Sequence, residues 1–154
     1  MSKKRAQGAP KEIFIQMLQY MPIATFDLVI DYGGQGVIIV RRKTPPYKEV
    51  WALPGLSMFK GENIDDTLMR IAEQELGIQI DTANKILLGQ FVGKFKTEYQ
   101  RQDISTGYLV NLSRLQSIKL NEERFYSYRV TKEIPNNMGA MYKFYLGQYF
   151  SMKS

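Results

Sequence analysis

The chain contains neither cysteine nor histidine among its 154 residues. The absence of cysteine excludes disulfide bonds, thiolate catalysis and cysteine-ligated zinc. The absence of histidine removes the most common general base and the most common metal ligand of proteins. Any catalysis by this chain must therefore rest on carboxylates, lysine, arginine, tyrosine, serine or threonine.

The sequence also lacks a hydrophobic run that resembles a membrane span or a secretory signal. The most hydrophobic stretch, residues 23–40, contains Asp27, Asp31 and a Gly-Gly turn, so it is predicted to form two strands. The basic residues 1–5 are not followed by an apolar segment of secretory type. We therefore expect a soluble, cytoplasmic protein.

Size and charge set the class of protein and the kind of partner. With 44% hydrophobic residues, a chain of this length can bury its own core, so residues 1–154 are expected to form a single domain. Residues 1–11 are expected to form a flexible basic arm. The net charge of +6 suits a partner that carries phosphates. A small-molecule nucleotide is preferred over nucleic acid, because solvation alone accounts for the arm at least as well as nucleic-acid binding does.

Hydrophobic periodicity predicts a mixture of helices and strands. Asn63 and Asp66 resemble a capping box, and Gly77 is a natural helix stop, so the helix between them is well bounded. Strands mixed with helices indicate an α/β sandwich around a mixed sheet. Helices are predicted over residues 12–20, 64–76 and 138–150, and strands over residues 23–30, 36–42, 86–95, 104–112 and 125–130, with a tight turn at 31–35.

Residues 55–78 resemble a Nudix box, whose pattern is G-x5-E-x7-R-E-U-x-E-E-x-G-U with U an aliphatic residue. The preceding segment, residues 51–55, is also typical of that family. The resemblance implies a Nudix-type α/β/α sandwich with a central mixed β-sheet. It further implies a hydrolase of nucleoside diphosphates linked to another moiety. Six residues match the pattern in register: Glu62, Arg70, Ala72, Glu75, Gly77 and Ile78.

The box departs from the family pattern at Leu56, which replaces a glycine, and at Ile71 and Gln74, which replace two helix glutamates. Glu75 is the glutamate that remains on the face where the family binds metal. Glu73 lies on a different side of the helix, because successive residues are about 100° apart. Glu73 is therefore expected to be solvated rather than to bind metal.

The family uses these carboxylates to bind Mg²⁺, which neutralises and orients a diphosphate. With one helix carboxylate remaining, the resemblance implies a single Mg²⁺, with Mn²⁺ as a substitute, bound by Glu75 and the carbonyl of Gly55. It also implies an internal ion pair between Glu62 and Arg70. That ion pair is expected to tie the box loop to its helix, although direct metal binding by Glu62 is an alternative.

The pattern of lost glutamates is similar to that of the GDP-mannose mannosyl hydrolases, a Nudix branch that works with one magnesium ion. Residues 21–27 and 40–44 also resemble that branch. The resemblance implies that Asp27 contacts the sugar or base and that Arg42 and Arg70 face the diphosphate, where a guanidinium group can bind phosphate oxygens in bidentate fashion. A nucleotide sugar such as GDP-mannose is therefore favoured over ADP-ribose as substrate.

Two positions differ from that branch. Ser57 stands where the branch has an arginine, and the histidine that serves as general base before the strand at 125–129 is missing. Glu122 and Glu123 are the candidate catalytic carboxylates in the matching stretch. The alternatives are the more common Nudix route of attack at phosphorus, or loss of activity.

A polar stretch between two predicted strands contains Glu98, Tyr99 and Asp103. The family often places a substrate loop or an additional catalytic carboxylate there. An ordinary solvated hairpin is the preferred interpretation, because most loops are of that kind.

Several aromatic residues are candidates for stacking a nucleobase, namely Tyr32, Tyr47 and Trp51. A core position is preferred for Trp51. The aromatic tail is interpreted as helix packing or as a contact in a homodimer: Tyr142, Phe144, Tyr145, Tyr149 and Phe150.

Three functional hypotheses follow. The leading one is Mg²⁺-dependent hydrolysis of a nucleoside diphosphate derivative. The second is a catalytically silent Nudix domain that binds a nucleotide as a sensor or regulator, and the third is an RNA-end or decapping hydrolase. Retention of Glu62, Arg70 and Glu75 favours hydrolysis, because a pure binding module has no evident need for a metal ligand.

Overall fold

The computed structural model describes residues 6–44, 49–96 and 99–153 of the chain. The predicted arm covers residues 1–11, of which residues 1–5 lie outside the described ranges and Lys11 belongs to the first helix. The described residues form three helices and seven strands: α1 (Lys11–Tyr20), β1 (Ile23–Tyr32), β2 (Val37–Arg42), β3 (Trp51–Ala52), β4 (Gly55–Ser57), α2 (Ile64–Leu76), β5 (Ile86–Lys94), β6 (Gln102–Leu112), β7 (Phe125–Thr131) and α3 (Ala140–Lys153).

The strands form one mixed sheet, as the sequence predicted. Its main path runs β3-β2-β1-β6-β5, while β4 pairs with β1 and β7 pairs with β2. The parallel pair joins β1 to β6, in a register that runs from Ile23 opposite Asp103 to Tyr32 opposite Leu112. The other pairs in the sheet are antiparallel.

Helices α2 and α3 pack on opposite faces of the sheet and give it two hydrophobic layers. The strands have side chains that alternate between the faces, so β1 contributes Leu28 to the α2 layer and Val29 to the α3 layer. Leu68 of α2 and Leu146 of α3 are both fully buried against the sheet. The predicted α/β/α sandwich is therefore confirmed. In the described part of the chain, no helix is long and apolar enough to cross a membrane.

The capping signals around α2 act as predicted. The Asn63 side chain accepts a hydrogen bond from the backbone N–H of Asp66 at 2.8 Å, and the Asp66 carboxylate accepts one from the N–H of Asn63 at 3.0 Å. Gly77 ends the helix in the left-handed conformation, with φ of 64°. These caps fix the helix that carries Glu75, because they satisfy backbone groups at both ends.

The turn between β1 and β2 is held by side chains as well as by its glycines. Gly33 and Gly34 have φ values of 59° and 78°, which favour glycine. The N–H of Gly34 donates to the Asp31 carboxylate at 2.8 Å, and the Tyr149 hydroxyl of α3 donates to the same group at 2.6 Å. The aromatic tail therefore packs on the sheet, as predicted for Tyr145 and Tyr149, which are both buried.

Candidate functional site

A cavity of about 560 Å³ opens where β1, β4 and β6 meet the ends of α1 and α3. Its volume lies in the range of pockets that hold nucleotide-sized ligands. Its walls combine positive charge with aromatic surface, which suits an anionic ligand that also has an apolar part. The charged and aromatic lining residues are Arg42, Lys94, Arg101, Arg124, Asp27, Asp103, Phe14, Phe91, Phe95 and Tyr142.

Glu75 of α2 is a fully buried carboxylate beside this cavity. Burial raises its pKa to about 7, although the Arg124 guanidinium and the backbone N–H of Gly55 partly offset that effect. Neither carboxylate oxygen accepts a hydrogen bond of good geometry from the described part of the chain. A buried carboxylate left in this state is unfavourable, so the site is suited to a ligand that supplies positive charge.

The nearest cation to Glu75 is Arg124, whose Nη1 lies 3.5 Å from Oε1 of the glutamate. Arg124 lines the cavity. The two candidates that the sequence suggested, Glu122 and Glu123, are exposed and do not belong to the cavity lining. No sequence pattern distinguishes Arg124 from the two glutamates before it, because the stretch is irregular until β7 begins at Phe125.

Asp27 lies inside the cavity at the middle of β1 and is buried. The Ser105 hydroxyl donates a hydrogen bond to its carboxylate at 2.5 Å, and Ser105 also shares a hydrogen bond of 2.8 Å with the Tyr145 hydroxyl. Burial, with a smaller contribution from the charge of nearby Asp103, raises the pKa of Asp27 to about 7 despite the hydrogen bond from Ser105. A Cβ at position 55 would overlap the Asp27 carboxylate, so Gly55 is required at this point.

The solvated-hairpin interpretation is wrong for Asp103. It belongs to β6, is buried and lines the cavity. Arg101 pairs with it at 2.7 Å, which is how its charge is accommodated. Tyr99 is 55% exposed, as expected for a solvated residue, whereas Glu98 lies outside the described residues.

The ion pair predicted inside the box is present. Arg70 donates from Nε and Nη2 to the two oxygens of Glu62, each at 2.8 Å, and Nη2 also donates to the carbonyl of Ser57 at 2.7 Å. Although burial alone would raise the pKa of Glu62, the hydrogen bonds from Arg70 lower it. The Arg70 guanidinium also lies 3.6 Å from the centre of the Phe59 ring. Arg70 is thus committed to the box loop and does not line the cavity.

The remaining predicted binding residues fall into two groups. Arg42 lines the cavity, where it donates a hydrogen bond to the Tyr142 hydroxyl. Trp51 and Tyr32 do not line it; Trp51 packs against the α3 layer, and the Tyr32 hydroxyl donates to a backbone carbonyl at 2.7 Å. Tyr47 lies outside the described residues.

A cavity lined by arginine and aromatic side chains lies next to a loop–helix unit, and comparison with known proteins identifies the family. The model of the NUDIX domain matches residues 21–139. The chain therefore belongs to the NUDIX family, which confirms the predicted family.

Individual relatives extend this assignment. The low-salt glycan biosynthesis protein Agl8 of Haloferax volcanii is 30% identical over 95 residues, which is 62% of this chain and 56% of that protein. The chain thus spans a little over half the length of this relative. A MutT NUDIX hydrolase from Burkholderia pseudomallei has the same fold with a TM-score of 0.71 and 18% identity, over 83% of this chain and 98% of that one.

A second solved structure is a bifunctional NMN adenylyltransferase/ADP ribose pyrophosphatase from Francisella tularensis, complexed with AMP and a Mn ion. It aligns with a TM-score of 0.67 and 18% identity, over 94% of this chain and 45% of that one. At this level of identity the likeness shows a common fold.

Nudix hydrolases generally use divalent metal ions, and one position in this chain fits such an ion. The two buried, unsatisfied oxygens of Glu75 are hard ligands of the kind that divalent cations of this type prefer. Within the described ranges, no group of three or more acidic residues is arranged to hold a metal. The residues present therefore fit a cation held at Glu75 rather than one held by a cluster of three or more carboxylates.

Proposed function

We propose that this chain is a Mg²⁺-dependent hydrolase of nucleotide sugars, with GDP-mannose as the first substrate to test. The observation that carries the proposal is the buried Glu75 carboxylate, whose two oxygens accept no hydrogen bond of good geometry from the described residues and which adjoins an arginine-lined cavity. A binding module would gain nothing from keeping such a group, because an unsatisfied buried carboxylate destabilises the fold.

The diphosphate is proposed to bind at Arg42 and Arg124. Both line the cavity, and guanidinium groups make bidentate hydrogen bonds to phosphate oxygens. Arg70 is left out of this role, since its guanidinium is bonded to Glu62 and Ser57. Arg124 then supplies the second arginine for the diphosphate.

Glu75 and the Gly55 carbonyl are proposed to hold the cation, with Mn²⁺ as an alternative to Mg²⁺. When bound, such an ion neutralises the diphosphate and withdraws charge from the phosphorus. Glu75 sits at the metal-facing side of α2, and both caps of that helix are formed, so its position is rigid.

A carboxylate inside the cavity is proposed as the base that activates water. Asp27 and Asp103 line the cavity, whereas Glu122 and Glu123 do not, so the first two replace the second two as candidates. The raised pKa of Asp27 suits a group that exchanges a proton near neutral pH. The water adds to one phosphorus of the diphosphate, its proton passes to the carboxylate, and the P–O bond to the bridging oxygen breaks, releasing a nucleoside monophosphate and a sugar phosphate.

The choice of a sugar as the linked group has two supports. Residues 21–27 and 40–44 resemble the mannosyl hydrolase branch. The Haloferax relative is described as a protein of glycan biosynthesis. ADP-ribose is the competing substrate, because the Francisella protein is described as an ADP ribose pyrophosphatase.

A cytoplasmic location and a homodimer remain predictions.

A screen of purified protein against nucleotide sugars, dinucleotides, ADP-ribose and capped RNA, each with Mg²⁺, tests the proposal. We expect turnover of a nucleotide sugar that disappears with EDTA and in Glu75→Gln. Preferred cleavage of capped RNA would favour the RNA-end hypothesis instead.

The second candidate is a silent nucleotide-binding domain. The observation in its favour is that Glu75 faces an arginine rather than further carboxylates. Tight calorimetric binding of a nucleotide without any hydrolysis, with and without Mg²⁺ or Mn²⁺, would support this candidate.

A further inference from the structure

We infer that Arg124 is a displaceable counter-ion, which holds the place of the divalent cation at Glu75 and moves to the diphosphate when the cation binds. The inference rests on the proposed function, because it concerns the same cation and the same substrate group. It adds that the side chain of Arg124 couples metal binding to substrate binding.

The contact between Arg124 and Glu75 is loose. Its single N–O distance of 3.5 Å exceeds the range of 2.7–3.2 Å that is usual for a protein hydrogen bond. The chain contains a tight counterpart for comparison, since Arg70 and Glu62 form two hydrogen bonds of 2.8 Å. Arg70 is therefore fixed by its hydrogen bonds to Glu62. Arg124 neutralises the Glu75 carboxylate without donating a hydrogen bond of ordinary length to it.

Arg124 also has room to move. Its side chain is 30% exposed, while that of Glu75 is 1% exposed, so the carboxylate is fixed and the guanidinium faces the cavity. Its other described side-chain contact is with the neighbouring Phe125 ring, at 5.4 Å from the ring centre, which leaves the guanidinium free to turn. The long arginine side chain can thus leave Glu75 without any movement of the backbone.

The positive charges of Arg124 and of a divalent cation prevent both from binding Glu75 at the same time. A divalent cation on Glu75 repels a guanidinium at the same oxygen, because both cations compete for one carboxylate in a site of low dielectric constant. The displaced guanidinium remains within the cavity, where a diphosphate carries the negative charge that it has lost. Metal and diphosphate should therefore each favour the binding of the other.

The test compares Mn²⁺ binding by the wild type, Arg124→Met and Arg114→Met, without substrate, by electron paramagnetic resonance. Methionine keeps much of the side-chain length and removes the charge. Arg114 is exposed and does not line the cavity, so its variant controls for the loss of one positive charge. We expect Arg124→Met to bind Mn²⁺ about 10-fold more tightly than the other two.

A second measurement follows GDP binding by calorimetry in the presence of Mg²⁺. Arg124→Met should bind GDP more weakly than the wild type, and Arg114→Met should not. Circular dichroism and a melting curve establish that each variant is folded, and Arg124→Lys, which keeps a cation, should bind Mn²⁺ more weakly than Arg124→Met.

The outcomes separate this inference from the proposed function. Equal or weaker Mn²⁺ binding by Arg124→Met, with Mn²⁺ binding by the wild type that Glu75→Gln removes, would overturn the counter-ion role and leave the metal site intact. If neither the wild type nor Arg124→Met bound Mn²⁺, the metal site and the counter-ion role would both be rejected.

Discussion

Asp27 and Glu75 are two buried acids, and the negative charge of one makes ionisation of the other less favourable. Burial raises the pKa of each to about 7, and the charge of Glu75 adds to the rise at Asp27. Both acids have lower pKa values in the unfolded chain, so the folded chain holds more protons between about pH 4 and pH 7. Their contribution to stability is therefore full below about pH 4 and is lost as the pH rises through 7.

We predict that the melting temperature of the metal-free protein falls between pH 5 and pH 8 and that Mg²⁺ raises it more at pH 8 than at pH 5. Each acid contributes up to about 3 kcal/mol to the loss of folding stability between pH 5 and pH 8. Scanning calorimetry across that range, with and without Mg²⁺, measures the effect. Asp27→Asn should flatten the slope. A metal-free melting temperature that increases towards pH 8 would contradict these assignments.

Glu75→Gln should abolish hydrolysis and leave the fold intact. The loss of a metal ligand removes several kcal/mol of transition-state stabilisation, so we expect kcat to fall by ~100-fold or more. The melting temperature at pH 8 should stay the same or rise, because the substitution removes a buried charge. Steady-state kinetics at limiting Mg²⁺ test the first part, and near-normal turnover would show that another residue binds the metal.

Arg70→Ala should affect stability more than substrate choice. The substitution leaves Glu62, whose side chain is 6% exposed, without its cation, at a cost of about 3 kcal/mol. Chemical denaturation measures the loss. The double variant Glu62→Gln with Arg70→Met should recover part of it, since no unpaired charge remains. Unchanged stability combined with lost substrate affinity would make Arg70 a phosphate ligand instead.

The residues that the sequence predicted best are those whose partners lie nearby in the chain. Glu62 and Arg70 belong to one loop–helix unit, so their spacing alone indicated the ion pair. Arg124 was not predicted, and Asp103 was considered but assigned to a solvated hairpin, because distant strand pairings bring both residues to the cavity. No local periodicity distinguishes Arg124 from its two acidic neighbours.

Among the helices and strands, local sequence signals were sufficient to predict α2 but not the short strands. The bounds of α2 agree with the prediction because the capping box and Gly77 act within a few residues of the helix. Strands β3 and β4 have two and three residues, which is too short for an alternating pattern to be recognised. Their pairing with β2 and β1 is a tertiary effect.

The spacing between α3 and the sheet depends on a glycine. A Cβ at Gly107 of β6 would lie 2.5 Å from the Tyr145 ring, whereas a Cβ at Gly147 of α3 would meet no atom within 4 Å. We predict that Gly107→Ala destabilises the protein by about 1–3 kcal/mol through overpacking. Gly147→Ala should stabilise it by about 0.5–1 kcal/mol, since alanine is the better helix former.

Urea denaturation of the two glycine variants provides a matched comparison, because each adds one methyl group. A stable Gly107→Ala variant would mean that Tyr145 shifts without loss of its hydrogen bond to Ser105.

For the molecule as a whole, the prediction concerns which bond is broken. Hydrolysis of a nucleotide sugar in ¹⁸O-labelled water should place the label in the phosphate group of one product, because we propose attack at phosphorus. Mass spectrometry of both products decides between the routes. Label in the sugar would establish attack at carbon and support the mannosyl hydrolase route.

The parallel pairing of β1 with β6 also sets the order in which this protein can be assembled. Thr25 and Ser105 are partners although they are eighty positions apart in the chain. During synthesis, β1 emerges from the ribosome long before its neighbour exists, so the centre of the sheet cannot close until β6 has been translated. Although β2 and β4 can pair with β1 early, the edge of β1 that faces β6 stays unpaired during that interval and is open to pairing with other chains.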